Sequence, residues 1–247
     1  MIAGSQLPRL SPDVILVDVP DGSARLLDLD GQFHALSDVA AMMLRETLNH
    51  GQDQAAKTIA ERYGVEVAAV AADVHAFIND LKDKGLIVEA GQNVRRRKAG
   101  LLARCVMSTL LRLNRWLRPT QAGKVSGMLT LASLCCRWLG WARTVELWQT
   151  AFPAAQRVTD DAAAQAAAKK IDEVVRGALA KLTIGTACKE RGLTSWALAR
   201  RAGLAATMFV GVTLYPLNAH CWTTVGDMPL ADEVARCQQY EPVIRYA

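Results

Sequence analysis

Hydrophobic positions in the first 90 residues follow two periods, one typical of strands and one typical of helices. β-Branched residues predict a strand over Val14–Val19, a second strand runs from Ala24 to Asp28, and a third runs from Gln32 to Leu36. Asp30-Gly31, between the last two, suits a tight hairpin turn because both residues tolerate positive φ. These positions predict a small antiparallel sheet near the start of the chain.

Three helices are predicted after this sheet. Ser37 can cap a first helix that continues through Leu48, and a second helix spans Gln52 to Tyr63 before Gly64. The third places its apolar residues in one stripe and stops at Gly85. That stripe contains Val67, Val70, Val74, Phe77, Ile78 and Leu81. With a short strand over Leu86–Glu89, the order of elements is typical of a winged helix-turn-helix domain.

The segments "LLDLDGQFHALS" and "LKDKGLIVE" in this order of elements resemble the PqqD-like precursor-recognition domain of peptide-modifying systems. In that family a leader peptide adds as an extra strand in a groove between the third strand and the third helix. The resemblance implies that the groove uses Gln32, Phe33, His34 and Leu36 from the strand, with Val74, Phe77 and Ile78 from the helix. The alternative interpretation is that Phe33, Val74 and Phe77 are core residues.

Charge is distributed unevenly along the chain. The net charge of +5 suggests a polyanion-binding protein, but residues 1–89 carry 7 Lys+Arg against 14 Asp+Glu. Residues 90–145 carry 11 Lys+Arg and no Asp or Glu, and residues 146–247 carry 11 against 10. Because phosphate attraction supplies most of the baseline affinity for DNA, an acidic winged domain argues against nucleic acid as a partner.

The basic middle of the chain begins at Arg95–Lys98 and is helical by propensity until Pro119. Residues 125–142 form an apolar run that Arg137 interrupts, too polar to favour a membrane-spanning helix. We expect a helical connector that packs its apolar face on its neighbours or on a partner protein. Contact with an anionic membrane surface is the alternative, since a basic amphipathic helix gains apolar burial and electrostatic attraction there.

Cysteine and histidine spacing favours neither disulfides nor a metal. The six cysteines form no CxxC pair, and the chain begins without a signal-sequence pattern, so we expect a cytoplasmic protein, peripheral at most. His34, His50 and His75 lie on three separate predicted elements without a carboxylate cluster. No metal site is expected.

The last 90 residues place a thiol and an imidazole on suitable elements for nucleophilic catalysis. A helix is predicted from Asp160-Asp161 to about Leu182, and Cys188 opens another, where uncompensated N–H groups favour a thiolate. Strands are predicted over Ala206–Leu214 and over residues 219–225, which include His220. Depending on how the turn at Gly226-Asp227 is centred, either Asp232 or Glu233 faces His220.

The segments "CKERGLTSWALARRAGLAATMFVGV" and "AHCWTTVGDMPLAD" resemble the papain/transglutaminase-type core of lasso-peptide B proteins, which are leader peptidases. The resemblance implies that Cys188 is the nucleophile, His220 the general base and acid, and Asp232 the group that orients the imidazole, with Glu233 as second choice. Cys221, Thr223 and Thr224 depart from the residues that the family often has there. Cys221 should point away from His220 and serve packing.

Together the two resemblances imply an α+β chain: a winged, PqqD-like domain over residues 1–92, a helical connector over 93–150, and a transglutaminase-like cysteine peptidase domain over 151–247. The implied function is removal of the leader from a lasso-peptide precursor, before an asparagine-synthetase-like cyclase closes the macrolactam. The family also implies ATP dependence, although no Walker-type glycine spacing occurs. A non-catalytic leader-binding adaptor and a transglutaminase-type acyltransferase are the alternatives.

Overall fold

The structure is a computed structural model, which describes residues 7–29, 31–89, 101–118, 120–154, 160–182 and 185–247. The chain divides into two compact units, Met1–Arg97 and Lys98–Ala247. Asp30 of the predicted hairpin turn and the basic run Arg95–Lys98 lie outside the described residues. Both units combine helices with antiparallel strands, so the expected α+β class is confirmed. The winged helix-turn-helix description stays a prediction.

The first unit contains two small sheets. Strands β2 (Val14–Asp18), β3 (Ala24–Asp28) and β4 (Phe33–Leu36) form a three-stranded antiparallel sheet in that order. The N–H of Gly31, with φ 108°, donates to the Asp28 carbonyl at 2.7 Å, which closes the β3–β4 hairpin. Strand β1 (Arg9–Leu10), which the sequence pattern did not reveal, pairs with β5 (Ile87–Val88).

Helices α1 (Asp38–His50), α2 (Gln52–Tyr63) and α3 (Val67–Asp83) lie within a residue or two of the predicted bounds. Ser37 caps α1 by accepting from the Ala40 N–H at 3.2 Å, and Gly64 ends α2 in the left-handed conformation. The α3 stripe supplies the centre of the core, with four buried side chains that pack on the sheet and on α1 and α2. Those four are Val70, Val74, Ile78 and Leu81.

The second unit begins with three helices from the basic middle of the chain: α4 (Leu101–Leu117), α5 (Gln121–Leu139) and α6 (Trp141–Ala151). Helices α7 (Asp161–Leu179) and α8 (Cys188–Arg201) follow. Val125 and Leu129 of α5 pack with Val175 and Ala178 of α7 in one buried cluster. Part of the apolar run at residues 125–142 therefore lies in the core of this unit. None of the described helices is long and apolar enough to cross a membrane.

A four-stranded antiparallel sheet, in the order β8-β7-β6-β9, packs against α8. Its strands are β6 (Ala206–Leu214), β7 (Leu217–Val225), β8 (Met228–Leu230) and β9 (Glu241–Tyr246), and the short helix α9 (Val234–Cys237) lies between the last two. A side chain at Gly211 would lie 2.7 Å from the Trp222 ring, so this glycine leaves room for the ring. The sheet thus carries His220 on β7, next to the start of α8.

Candidate active site and peptide groove

Cys188 is the first residue of α8, and its thiol is half-buried. The N-cap residue, Ala187, makes no side-chain cap. The backbone N–H of Cys221 and the side chain of His220 lie beside the sulfur, and both favour its ionised form. Strand β8 pairs with β7 only at residues 223–225. At Cys221 the same edge of β7 therefore faces the Cys188 thiol instead of β8. The structure therefore brings Cys188 and His220 together.

His220 is buried on β7 and hydrogen-bonds through Nε2 to Asp232 Oδ2, at 2.7 Å. Because Nε2 binds Asp232, the other ring nitrogen, Nδ1, is the one available to the Cys188 sulfur. The imidazole stacks on Trp222, with 5.8 Å between ring centroids and 16° between planes, and Tyr240 lies against it at 5.0 Å. These aromatic contacts and the Asp232 hydrogen bond hold the imidazole in one orientation.

Asp232 reaches His220 through a break in the hairpin. Residues Thr223 and Leu230 pair, as do Val225 and Met228, so the turn is centred half a step after Gly226 and continued pairing would place Glu233 opposite His220. Strand β8 ends at Leu230, and Ala231 takes φ 54°, in the left-handed region. That change of direction presents the buried Asp232 side chain to the imidazole, whereas Glu233 is exposed.

Two α7 residues hold the Ala231-Asp232 turn. The Ala231 N–H donates to Asp172 Oδ1 at 2.6 Å, and Arg176 Nη2 donates to the Asp232 carbonyl at 2.5 Å. Arg176 Nε also donates to both oxygens of Asp172, at 2.9 and 3.0 Å. Sequence reasoning missed this pair; only its i, i+4 spacing on α7 was visible. We call Asp172 and Arg176 the α7 clamp.

Cys188, His220 and Asp232 shift one another's pKa values in the direction that favours their charged forms. Burial alone would raise the pKa of the Cys188 thiol, but the His220 hydrogen bond, the Cys221 N–H and the charges of His220 and Arg191 lower it overall. Burial opposes protonation of His220, yet hydrogen bonds to Asp232 and Cys188 raise its pKa to about 9. The pKa of Asp232 is lowered, because the His220 and Glu233 hydrogen bonds and the Arg191 charge outweigh burial. These shifts favour a thiolate beside an imidazolium over the neutral pair.

Arg191 and Cys237 complete the polar surroundings of Asp232. Arg191 Nη2 lies 3.4 Å from Asp232 Oδ2. His220, Asp232 and Cys237 each offer one possible metal-ligand atom, and these three atoms lie within 4.8 Å of one another. Burial raises the pKa of the Cys237 thiol to about 11, and a thiol must lose its proton to bind a metal. The observed hydrogen bond between His220 and Asp232 accounts for most of this proximity.

Cys221 lies on the side of β7 that packs against α8. Its side chain is buried, and a Cβ at Gly192 would lie 2.9 Å from its sulfur. Next to it, Thr223 Oγ1 donates to the Gly192 carbonyl at 2.9 Å. Burial is the largest cause that raises the pKa of the Cys221 thiol well above its ordinary value, so this thiol is inert. Both contacts hold α8 close to the strand that carries His220.

In the first unit a groove of about 550 Å³ runs between β4 and α3. Phe33, His34 and Leu36 line it from the strand and Phe77 from the helix. Val74 and Ile78 are instead fully buried in the core, and Gln32 is exposed and does not line the groove. Lining residues that the sequence did not indicate include Asp80 and Lys84, which form an ion pair at 2.6 Å.

Strand β4 lies at the edge of its sheet, and its backbone has a definite polarity there. The Asp28 N–H donates to the Gln32 carbonyl at 2.8 Å, so residues 28 and 32 form a hydrogen-bonded pair. Because such pairs alternate along an antiparallel ladder, residues 34 and 36 also point their N–H and C=O groups toward β3. Phe33 and Ala35 consequently point theirs away from β3, along the open edge beside the groove.

Comparisons with known proteins match both units. Residues 15–87 match the family model described as Coenzyme PQQ synthesis protein D (PqqD), and residues 128–245 match that of the transglutaminase-like superfamily. A solved structure described as "Lasso peptide synthetase B1 complexed with the leader peptide" shares 27% identity with this chain. It aligns over 33% of this chain and 98% of its own, with a TM-score of 0.31. No curated protein matches the chain.

The two family models match in the order expected from the sequence segments, first the PqqD region and then the transglutaminase-like region. The second region contains Cys188, His220 and Asp232. The first contains the β4–α3 groove. The chain therefore combines a PqqD region with a transglutaminase-like domain, the two parts that the resemblance to lasso-peptide B proteins implied.

Proposed function

We propose that this protein is a cysteine peptidase that binds the leader of a ribosomally made lasso-peptide precursor and cleaves it off. The observation that carries this proposal is the row formed by Cys188, His220 and Asp232, in which the imidazole lies beside the thiol and hydrogen-bonds to the carboxylate. A nucleophile, a base within hydrogen-bond reach and a group that orients the base are the parts that acyl transfer through a thiol requires.

In the proposed reaction the Cys188 thiolate attacks the scissile carbonyl carbon of the leader. The negative charge moves to the carbonyl oxygen, which the Cys188 N–H at the start of α8 can stabilise, since helix-start amides have no intrahelical acceptor. The His220 imidazolium gives its proton to the departing amine, so the core peptide leaves with a free N-terminus. His220 then takes a proton from water, whose oxygen attacks the thioester and releases the leader carboxylate.

Leader recognition is assigned to the open edge of β4 in the first unit. An added peptide strand would exchange hydrogen bonds with the outward N–H and C=O groups of Phe33 and Ala35. Its side chains would enter the groove at His34, Leu36 and Phe77. The Asp80–Lys84 ion pair at the groove wall offers one charge of each sign to polar leader residues. Phe33, which is half-buried, serves the groove rather than the core in this proposal.

Two partners are proposed beyond the precursor. The freed amine passes to an asparagine-synthetase-like cyclase, since macrolactam closure needs that amine.

Contact with an anionic membrane surface is proposed for α4, which exposes Val106, Leu110, Leu113 and Leu117 at helical spacing. Trp116 is 81% exposed on the same helix. Vesicles containing phosphatidylglycerol should co-sediment with the protein more than phosphatidylcholine vesicles do; equal or no sedimentation contradicts the membrane contact.

The deciding experiment compares the protein with its Cys188→Ala and Cys221→Ala variants on the precursor, with and without cyclase and ATP. We expect one cut at the leader–core junction, seen by mass spectrometry, in the wild type and in Cys221→Ala. Cys188→Ala should leave the precursor intact while binding the leader with unchanged affinity. Cys221→Ala is the matched control, because its thiol lies in the same region but packs against α8.

Each of the other outcomes favours a different mechanism or function. Cleavage that survives Cys188→Ala contradicts the thiol mechanism. Intact precursor in every sample, with leader affinity retained, favours the non-catalytic adaptor. A mass gain equal to a coupled amine, in the presence of a primary amine, favours a transglutaminase-type acyltransferase.

A further inference from the structure

A second cavity, separate from the triad, lies in the helical part of the second unit. It has a volume of about 1200 Å³ and is lined by residues of α4, α5, α6, α7 and α8. Cys188, His220 and Asp232 do not line it. Its α8 contribution comes from Leu198 and Arg201 at the end of the helix, about 15 and 20 Å along α8 from Cys188 at the 1.5 Å rise per residue. The proposed peptidase reaction does not use this space.

The charge around the cavity is of one sign. Arg112 of α4, Lys124 of α5, Lys170 of α7 and Arg201 of α8 line it, and no Asp or Glu is among the described residues around it. None of these four forms an ion pair with a carboxylate in the part of the chain that the structure describes. Four cations around one space make its potential positive, so an anion there is favoured.

The floor of the cavity has a different character. It consists mainly of aliphatic side chains, among them Val125, Met128, Leu147, Ile171 and Val174. Its volume exceeds that of an ordinary small-molecule pocket, which holds about 300–1000 Å³. A bare inorganic anion would leave most of this apolar surface without a partner. The lining therefore fits a ligand with an anionic group and an aliphatic body.

We propose that this cavity binds a single-chain lipid phosphate, with the phosphate near Arg112, Lys124, Lys170 and Arg201 and the acyl chain along the aliphatic floor. Phosphate oxygens can accept from several cationic side chains at once, which suits donors from four helices. Neither leader recognition nor cleavage depends on this site. The proposal therefore stands or falls separately from the peptidase assignment.

Binding is measured by isothermal titration of the full chain with monomeric lysophosphatidylglycerol, lysophosphatidylcholine and glycerol 3-phosphate. We expect lysophosphatidylglycerol to bind at least about tenfold more tightly than either of the others, since only it combines net charge with a chain. Equal affinity for the two lysolipids would contradict the cationic site. Equal affinity for glycerol 3-phosphate would contradict the apolar part.

Neighbouring residues on α7 give matched variants. Lys170→Glu should weaken lysophosphatidylglycerol binding about tenfold or more, whereas Lys169→Glu, which is exposed and does not line the cavity, should change it less than about twofold. Ala167→Trp should narrow the cavity and weaken binding, and the exposed Ala166→Trp should not. Circular dichroism verifies that each variant is folded, and equal losses in both members of either pair would overturn the proposal.

Discussion

At the scale of single residues, the proposed reaction depends on the proton positions at Cys188 and His220. The His220 pKa is raised to about 9 and the Cys188 pKa is lowered, so the reactive pair exists between the two values. Below that window the thiolate gains a proton and loses its nucleophilicity. Above it the imidazolium loses the proton that the departing amine needs.

The first prediction concerns the pH profile of kcat/KM for precursor cleavage. We expect a bell whose alkaline limb lies near pH 9 and whose acidic limb lies below the ordinary thiol pKa. Asp232→Asn removes the charged acceptor that raises the His220 pKa, so the alkaline limb should move to lower pH and kcat should fall about a hundredfold. Continuous assay of a quenched leader–core peptide from pH 5 to 10 measures both.

Glu233→Gln is the control for this profile. Its carboxylate is exposed, and only its backbone N–H reaches Asp232 Oδ1, at 2.9 Å. The variant should keep the wild-type limbs. If Glu233→Gln moves the alkaline limb and Asp232→Asn does not, the assignment of Asp232 as the orienting group is wrong.

At the scale of elements, the site depends on how α7 and α8 pack against the ends of the strands. The α7 clamp satisfies the Ala231 N–H and the Asp232 carbonyl at the point where the chain leaves β8. A non-glycine residue with positive φ persists only when its surroundings hold it. We infer that Asp172 and Arg176 are positioning residues that act on the reaction through Asp232.

The second prediction follows from the clamp. Asp172→Ala should lower kcat about tenfold or more with little change in KM, because Asp232 loses its fixed position while the leader groove is untouched. It should also move the alkaline limb toward lower pH, which a purely structural defect would not do. Glu173→Ala, the exposed neighbour on α7, serves as the control and should leave both quantities unchanged. A raised KM at constant kcat would contradict the positioning role.

The third prediction tests the contact between α8 and β7. Gly192→Ala places a methyl group 2.9 Å from the buried Cys221 sulfur and should destabilise the fold by about 1–3 kcal/mol. Removing that sulfur with Cys221→Ala should restore part of the loss, so the double variant should be more stable than the sum of the single changes predicts. Urea unfolding of all four proteins measures this coupling. Strict additivity would mean that the two side chains do not meet.

Much of this element-level arrangement was predictable from the sequence. The apolar stripe of α3 and the glycines after α2 and α3 specified those helices, because periodicity and C-terminal glycines act locally. The residue numbers of the hairpin could not decide whether Asp232 or Glu233 faces His220. The left-handed conformation of Ala231 decides it, and no local sequence signal predicts that conformation. The α7 clamp and the β1–β5 pair were not predictable, since both join residues more than 50 positions apart.

At the scale of the whole molecule, the proposed function assigns recognition to one unit and chemistry to the other. The groove lies within residues 33–84 and the triad within residues 188–232, so a change in one need not alter the other. The acidic first unit and the basic helices at the start of the second also show that the overall charge of +5 describes neither unit. The proposed function therefore predicts different kinetic effects of substitutions in each unit.

The last prediction tests this division with Ala35→Pro. The Ala35 N–H points away from β3, so proline removes an edge donor without removing a bond of the β3–β4 ladder, and His34 before it already has the extended conformation that proline requires. We expect KM for the full precursor to rise about tenfold at nearly unchanged kcat, and cleavage of a short junction peptide without the leader to stay at the wild-type rate. Ala35→Val retains the N–H and should behave as wild type. Equal loss of both activities in Ala35→Pro would show that β4 supports the catalytic unit and would contradict leader addition at this edge.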